Sequence, residues 1–300
     1  MQDHANVLTY RFDFLKFRYA FLIGSLAMLA FGVFFYYTQH GFVYHIDFTG
    51  GAEMRISFEK PLDIAELRTI ITEGGWKDAA IQSLGRENRS FLIRVGTTDN
   101  ELEKAVTSSL KTALPENRAF VDNVELIGPE VGKDTKWNAF KGVFLSLIIL
   151  ALYIAFRSQY RYGMGAIAAL AHDILMVLLF LLVTGEPISV HILASVLAVL
   201  GYSLNDTIVI FSRIRENMKK YHGRASEYDI VNLSINQTLV RTTLTSVATF
   251  LCVLSLLFLG GETLRGLSLV MCVGIVVGTY SSIYIASAGM LVLGSTDSAK

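Results

Sequence analysis

Three ionisable residues lie within long apolar stretches of the sequence, where they could bind or move protons. Asp206 falls inside the apolar run that leads into "GYSLNDTIVIFSRIREN", with Asn205 beside it, and His172 and Asp173 form "AHD" in another run. A charged Asp at the centre of a membrane helix costs on the order of 3 kcal/mol on insertion scales, so such residues usually face a bundle interior and have a function. We therefore predict that Asp206 has a function in the bundle interior; the alternative is that it marks the end of a span.

Arg241, in "TLVRTTLTS", is the candidate partner of Asp206. A nearby guanidinium favours the charged form of a carboxyl group, so an arginine that moves could switch Asp206 between holding and releasing a proton. The alternative is that Arg241 anchors its helix at the cytoplasmic surface. Asn205 could form a hydrogen bond in the bundle interior.

The pair His172 and Asp173 has two equally supported interpretations. Neighbouring residues on a helix point about 100° apart, so one side chain is expected to face the interior while the other meets a neighbouring span. The pair is either a proton relay or a packed, hydrogen-bonded contact.

The elements that position these residues are membrane spans. The 300 residues are 52% hydrophobic with a formal net charge of +0, which is too apolar for an ordinary soluble domain and leaves no basic excess for nucleic acid. A span needs roughly 20 mostly apolar residues. Six stretches qualify: 19–37, 137–156, 163–183, 190–211, 242–259 and 267–291.

Lysine and arginine in the short loops predict the orientation of the spans. The loops after the second and fourth stretches, and the segment before the first, are basic, whereas "TGEPIS" and "GGETLRG" carry little positive charge. Basic loops remain in the cytoplasm. The terminal segments 1–18 and 293–300 are therefore predicted to be cytoplasmic, and residues 38–136 extracytoplasmic.

Residues 38–136 are predicted to form a small α+β domain. "YHIDF" and "EMRISF" read as strands around the turn "TGGA", and a helix follows with Asp63 and Glu66 spaced as a capping box. "AAIQSL", "SFLIRV" and "RAFVDNVELI" are typical of strands, with a second helix before the last. After the opening strand this β-α-β-β-α-β order predicts a ferredoxin-like fold. The fold class is thus a mainly α membrane protein, with six spans and this domain between the first and second.

Glycines and small residues predict two further features. Gly50 and Gly51 form a hinge between membrane and domain, or alternatively an ordinary hairpin turn. Gly274, Gly278 and Ser282 recur every four residues in the sixth stretch and predict close helix packing.

Motifs for catalysis and nucleotide binding do not occur in the sequence. There is no GxxxxGK[ST], GxSxG or HExxH motif, and the two cysteines have no metal-ligand spacing. We predict no enzyme activity, no cofactor and no metal. Any work is then driven by an ion gradient or by a partner's ATPase.

Five motifs in order resemble the SecF proteins of the SecD/SecF family of protein-export membrane proteins. They are "IDFTGG", "AHD", "GYSLNDTIVIFSRIREN", "QTLVRTTLTS" and "GTYSSIYIAS", which together run through most of the chain. The resemblance implies a resistance–nodulation–division-type membrane fold paired with SecD into a twelve-span unit, often with YajC, beside the SecYEG channel. It implies that the proton motive force helps complete the translocation of unfolded preprotein across the cytoplasmic membrane after SecA-driven entry.

By position, the resemblance assigns the proton-carrying acid to Asp206 and its arginine to Arg241. The sequence departs from the family at Ser212, where many relatives have an acid, and near Gly266, where some fused relatives have another. Two other functions remain open: a proton-driven exporter of small molecules or lipids, and a scaffold for SecD and the channel that moves no protons.

Overall fold

The computed structural model describes residues 9–38, 41–77, 79–84, 87–97, 101–157 and 160–295. The chain divides into two compact units. One unit is Tyr44–Gly142, and the other combines Met1–Val43 with Val143–Lys300. Each unit has its own hydrophobic core.

Within the described residues, six helical stretches are long and apolar enough to cross a membrane, as predicted. The helices are α1 Arg18–Thr38, α5 Pro129–Arg157, α6 Tyr160–Thr184, α7 Val190–Lys220, α8 Glu227–Leu259, and a last span formed by α9 Gly261–Ser281 and α10 Ser287–Ser295. About half of the apolar window is buried in α6, α7 and the last span, against 11%, 6% and 11% in α1, α5 and α8. Helices α6 and α7 and the last span therefore form the centre of the bundle.

Two helices extend well beyond the apolar stretches that predicted them. Helix α7 continues past residue 211 to Lys220, and α8 begins at Glu227 rather than at residue 242. Ser226 caps α8, because its hydroxyl accepts a hydrogen bond of 3.1 Å from the backbone N–H of Asp229. Hydropathy marks only the part of a helix that suits lipid, whereas the backbone hydrogen bonds continue into polar sequence.

The last span changes its backbone geometry partway along. A π-helical turn, Ser282–Ala286, separates α9 from α10. Before this turn the span packs on α7: a Cβ added at Gly274 would collide with the Val199 side chain, and one at Gly278 would lie 2.9 Å from the Ser203 Cβ. After the turn it packs on α6, where a Cβ added to Gly165 would lie 2.6 Å from the Ala286 carbonyl oxygen.

The sheet of the smaller unit has the predicted ferredoxin-like topology. Strands β1 Gly51–Phe58, β2 Ala80–Leu84, β3 Ser90–Val95 and β4 Ala119–Ile127 are arranged in the order β2-β3-β1-β4, and each pair is antiparallel. Helices α3 Ile64–Glu73 and α4 Leu102–Ala113 lie between them in the chain. Their apolar residues Leu67, Ile71, Val106 and Leu110 share one buried core with strand residues such as Met54 and Ile93.

The prediction of an opening strand at "YHIDF" is wrong. Ile46–Thr49 is instead a short helix, α2. The carbonyl oxygen of His45 accepts hydrogen bonds from Phe48 N at 3.0 Å and from Thr49 N at 3.3 Å. The backbone N–H of Gly50 donates to the carbonyl oxygen of Ile46 at 2.8 Å. Alternating apolar residues favour a strand, but here local backbone hydrogen bonds form a helical turn instead. Gly50, which has a positive φ, ends this turn. Asp63 caps α3 as predicted, accepting from Ala65 N at 3.1 Å.

Candidate functional site

Asp206 lies on the buried side of α7, where only 2% of its surface is exposed. Its Oδ2 atom is buried and has no hydrogen-bond partner in the part of the chain that the structure describes. One helical turn before Asp206, Tyr202 of α7 donates to Ser246 of α8 at 2.7 Å, and Ser246 is 2.8 Å from Thr279 of α9, so hydroxyls of three helices meet there. A buried oxygen without a donor is costly to keep ionised, so this carboxyl group is suited to taking up a proton.

Arg241 and Asn205 have different surroundings from Asp206. The charge of Arg241, on α8, acts on Asp206, but the two form no ion pair. Arg241 and Asn205 both lie on exposed surfaces. The expectation that Asn205 reaches the bundle interior is therefore wrong, because the next residue along α7, Asp206, takes the inward-facing position.

His172 and Asp173 are both buried in the bundle interior and are in contact. His172 is 6% exposed and Asp173 is 0% exposed, and His172 Nδ1 lies 3.3 Å from Asp173 Oδ1. His172 Nε2 points to Ser25 of α1 at 3.1 Å, while Asp173 Oδ2 accepts from Ser203 of α7 at 2.5 Å. The pair thus joins two neighbouring helices to α6.

Sequence reasoning missed the hydroxyl groups that complete this site. Ser203 and Asp206 are three residues apart on α7, so they share a face of the helix. The Ser282 hydroxyl of the π-helical turn lies 2.8 Å from the Gly278 carbonyl oxygen, 3.2 Å from the Ser203 carbonyl oxygen and 2.9 Å from the Thr207 hydroxyl. The signal that could have found them is the helical spacing of Ser203 and Thr207 around Asp206.

Gly50 and Gly51 lie at a close approach of backbone segments within the smaller unit. Both have positive φ, 70° and 126°. A Cβ at Gly50 would lie 2.7 Å from the Pro129 Cα, and a Cβ at Gly132 would lie 2.6 Å from the Gly50 N. The turn that precedes β1 is therefore packed directly on the start of α5.

A second group of ionisable residues surrounds His45 in the smaller unit. His45 Nδ1 is 3.1 Å from Asp47 and its Nε2 is 2.9 Å from Glu53, which also accepts from Arg94 Nε at 2.7 Å. Burial disfavours protonation, but the hydrogen bonds and charges of Asp47 and Glu53 outweigh it and raise the pKa of His45 to about 9. Burial likewise opposes ionisation of Glu53, but His45 and Arg94 outweigh it and lower the pKa of Glu53.

This cluster predicts that the smaller unit loses stability at alkaline pH. Because the pKa of His45 is raised from 6.5 to about 9 on folding, its contribution is complete below pH 6.5 and is lost as the pH rises through 9. The shift corresponds to about 3 kcal/mol. Urea unfolding of the full chain in a Trp137→Phe background, followed by Trp76 fluorescence at pH 6 and pH 9.5, should show this loss. His45→Gln should remove most of it, whereas the exposed His222→Gln should not; equal losses in all three proteins would contradict the assignment.

The fold and the buried polar contacts define a class: a multi-pass membrane protein with ionisable groups inside its helix bundle and a ferredoxin-like domain after the first span. Comparison with known proteins shows which family within this class the chain belongs to. Residues 105–296 match the family model described as protein export membrane protein SecD/SecF, C-terminal. The chain belongs to the SecD/SecF family.

Comparison with individual proteins shows that, within this family, the chain is of the SecF type. The chain is 40% identical to protein translocase subunit SecF of Pseudomonas aeruginosa over 90% of this chain and 87% of that one. It is 39% identical to the SecF subunit of Calditerrivibrio nitroreducens, covering 92% and 91%. The crystal structure of SecDF from Thermus thermophilus, a translocon-associated membrane protein, matches 98% of this chain and 40% of its own chain at 35% identity and a TM-score of 0.86. The chain is a SecF-like subunit of the Sec protein translocase, a transport component.

Proposed function

We propose that this subunit works with SecD to couple proton entry, through Asp206, to the completion of preprotein translocation across the cytoplasmic membrane. The single observation that carries the proposal is the buried Oδ2 of Asp206, which has no hydrogen-bond donor among the described residues. Arg241 acts on Asp206 without contact, so a small movement of α8 relative to α7 changes how strongly the acid holds a proton. His172 and Asp173, which are buried in the same bundle, complete the proposed proton-coupling group.

The energies are sufficient for such coupling. One charge crossing 100 mV releases about 2.3 kcal/mol. Reversing a two-state equilibrium from 1:99 to 99:1 requires about 5.5 kcal/mol. About three protons per cycle therefore suffice to shift the extracytoplasmic domain between two positions. Gly50 and Gly51 are the proposed hinge, because their backbone angles and close contacts exclude side chains.

SecD is the proposed partner within the membrane. The solved SecDF chain is longer, and this chain matches only 40% of it; we assign the remainder to SecD as a separate subunit. Arg241 and Asn205 are exposed in the apolar parts of α8 and α7. Polar residues at membrane depth almost always face protein or a water-filled cavity rather than lipid. This exposed polar surface is where SecD is proposed to pack.

The proposed arrangement of the complex follows the charge distribution. Residues 1–18 and 293–300 are assigned to the cytoplasm and residues 38–136 to the outer side of the cytoplasmic membrane, because the basic loops lie on one side of the spans. The SecYEG channel and YajC are the proposed neighbours, and SecA acts indirectly on the same unfolded preprotein. These partners are carried over from the family resemblance.

Cross-linking tests the assignment of SecD to this surface. In a background where Cys252 and Cys272 are replaced by serine, Asn205→Cys should form disulfides with cysteines placed in the spans of SecD. Leu152→Cys, on the exposed face of α5, is the matched control and should react several-fold less. Equal reaction at both positions, in a complex that still co-purifies, would remove this surface as the contact.

Proton flux tests the coupling itself. The chain and SecD are reconstituted into vesicles of phosphatidylethanolamine and phosphatidylglycerol that enclose a pH-sensitive dye, and a membrane potential is imposed. Proton entry above that of vesicles without protein supports the proposal. The absence of any flux, with both proteins shown to be folded and inserted and preprotein present, would exclude it.

A further inference from the structure

The contacts around His172 fix the positions of its protons. Tyr280 of α9 donates its hydroxyl proton to the backbone carbonyl oxygen of Phe21 at 3.0 Å. A hydroxyl has a single proton, and a carbonyl oxygen can only accept. The contact of 2.6 Å between Tyr280 and Ser25 must then use the proton of Ser25.

Counting the hydroxyl proton of Ser25 in the same way determines the protonation of the imidazole nitrogen that faces it. Because Ser25 donates to Tyr280, its oxygen can only accept from His172 Nε2, which lies 3.1 Å away. Nε2 therefore carries a proton. The tautomer of a histidine is set by the hydrogen bonds of its ring nitrogens, so the remaining question is the state of Nδ1.

Nδ1 faces the carboxyl group of Asp173 at 3.3 Å. If neither atom carried a proton, two lone pairs would face each other inside the bundle. One proton must lie in this contact, either on Nδ1 or on Asp173 Oδ1. Asp173 Oδ2 is occupied separately, since it accepts from Ser203.

Burial leads to the same conclusion independently. With one shared proton, the pair is either imidazolium with carboxylate or neutral imidazole with carboxylic acid, and its net charge is zero in both cases. Reversing the hydroxyl protons would instead leave a neutral His172 beside an ionised Asp173, with net charge −1. Asp173 is 0% exposed and His172 is 6% exposed, and an uncompensated charge at such a site is costly.

We infer that His172 and Asp173 form a proton-binding site that holds one shared proton and is oriented by Ser25 of the first span and Tyr280 of the last. Among the described residues in direct contact with the pair, α1 and α7 contribute the hydroxyls of Ser25 and Ser203, and α9 contributes the one additional titratable group, Tyr280. Ser25 and Tyr280 act as positioning residues, because they set which nitrogen remains available to Asp173.

This proton-binding site adds a second group to the proposed proton coupling. Only its role in transport rests on that proposed function, whereas the shared proton does not. Ser203, which contacts Asp173, is three residues from Asp206 on α7. Asp173 therefore contacts α7 about one helical turn before Asp206. Movement of α1 would alter the contact of Ser25 with His172, and movement of α9 would alter the contact of Tyr280 that orients Ser25.

Solid-state ¹⁵N NMR tests the inference on the full chain, labelled at histidine and held in bilayers of phosphatidylethanolamine and phosphatidylglycerol. The sequence has six histidines, and the signal lost in His172→Asn identifies the one of interest. The expected result is a protonated Nε2 together with an Nδ1 that shares a proton. A bare Nε2 with a protonated Nδ1 overturns the inference.

Three variants sharpen this test. In Asp173→Asn the amide can donate to Nδ1 but cannot share a proton with it, so His172 should be neutral with its proton on Nε2; an Nδ1 that still carries a proton in this variant would refute the assignment of that proton to the pair. Tyr280→Phe should reduce the preference for protonated Nε2 by about tenfold, as expected for loss of one neutral hydrogen bond. Tyr284→Phe is the matched control and should leave the spectrum unchanged. An equal effect of both tyrosine variants would refute the positioning role.

These spectra are recorded without turnover, so the two proposals fail separately. If proton flux proves independent of Asp206 while the spectra are as expected, the coupling proposal is wrong and the shared proton stands. If flux depends on Asp206 but Nε2 is bare, the His172–Asp173 assignment is wrong and the coupling proposal stands.

Discussion

Asp206→Asn is expected to reduce proton flux by about 100-fold, the lower end of what a positioned proton-transferring side chain contributes. Asparagine keeps the shape of the side chain but cannot titrate. Proton-driven export should fall with the flux, while SecA-driven entry of preprotein continues. The measurement pairs dye-reported proton entry with protease protection of a preprotein, in vesicles that contain SecYEG as well as this chain and SecD and that are supplied with SecA and ATP.

Two control variants decide how this result is interpreted. Asp206→Glu keeps a titratable group and should retain part of the flux. Asp134→Asn removes an exposed carboxylate from the polar first turns of α5 and should have no effect. If Asp206→Asn shows normal export and flux while the complex still assembles, proton coupling through Asp206 is wrong. If the variant only prevents assembly, the scaffold function is favoured.

Gly132→Ala should destabilise the smaller unit although alanine favours helices. The added Cβ would lie 2.6 Å from the Gly50 N, and such overpacking costs about 1–3 kcal/mol. Gly142→Ala is the matched control in the same helix, because its Cβ would have nothing within 4 Å. It should stabilise α5 by up to about 1 kcal/mol.

The measurement is thermal unfolding of the full chain, followed by Trp76 in a Trp137→Phe background. Gly132→Ala should lower the midpoint by about 10 °C, given a few degrees per kcal/mol for a domain of this size. Equal midpoints for the two alanine variants would show that the close approach of Gly132 to Gly50 has no energetic importance. Gly50→Val, which also forces a β-branched residue to positive φ, should impair export if this junction is a hinge.

The spans and the fold of the smaller unit could be predicted because their signals are local. Apolar stretches locate the six spans, and alternating apolar residues locate the four strands. The true ends of α7 and α8 could not be found this way, because hydropathy does not detect a helix that continues into polar sequence. The short helix α2, Ile46–Thr49, could not be predicted, because hydrogen bonds to the His45 carbonyl oxygen outweigh the strand preference of alternating apolar residues.

The candidate site was only partly predictable for a different reason. Asp206, His172 and Asp173 stand out as ionisable residues in apolar sequence, and the structure buries all three. Ser25 and Tyr280 are 255 residues apart, and their contact depends on how the first and last spans pack. No local pattern contains that information. The placement of Asn205 failed because a one-residue step along a helix turns the side chain by about 100°, which takes it from the buried face of Asp206 to an exposed one.

The π-helical turn at Ser282–Ala286 has a consequence for how this chain tolerates insertions and deletions. A π turn accommodates one residue more than an α-helical turn. Deleting one residue there, such as Ile285, would restore α-helical geometry and leave the rest of the span in nearly its present orientation, because the π turn already absorbs that extra residue. The contacts of Ala286 and Met290 with Gly165, and of Gly274 and Gly278 with α7, would then be kept. The same deletion within α9 would instead rotate everything after it by about 100° and remove Ala286 and Met290 from Gly165, so a one-residue deletion is tolerated at this turn and not in the helix before it.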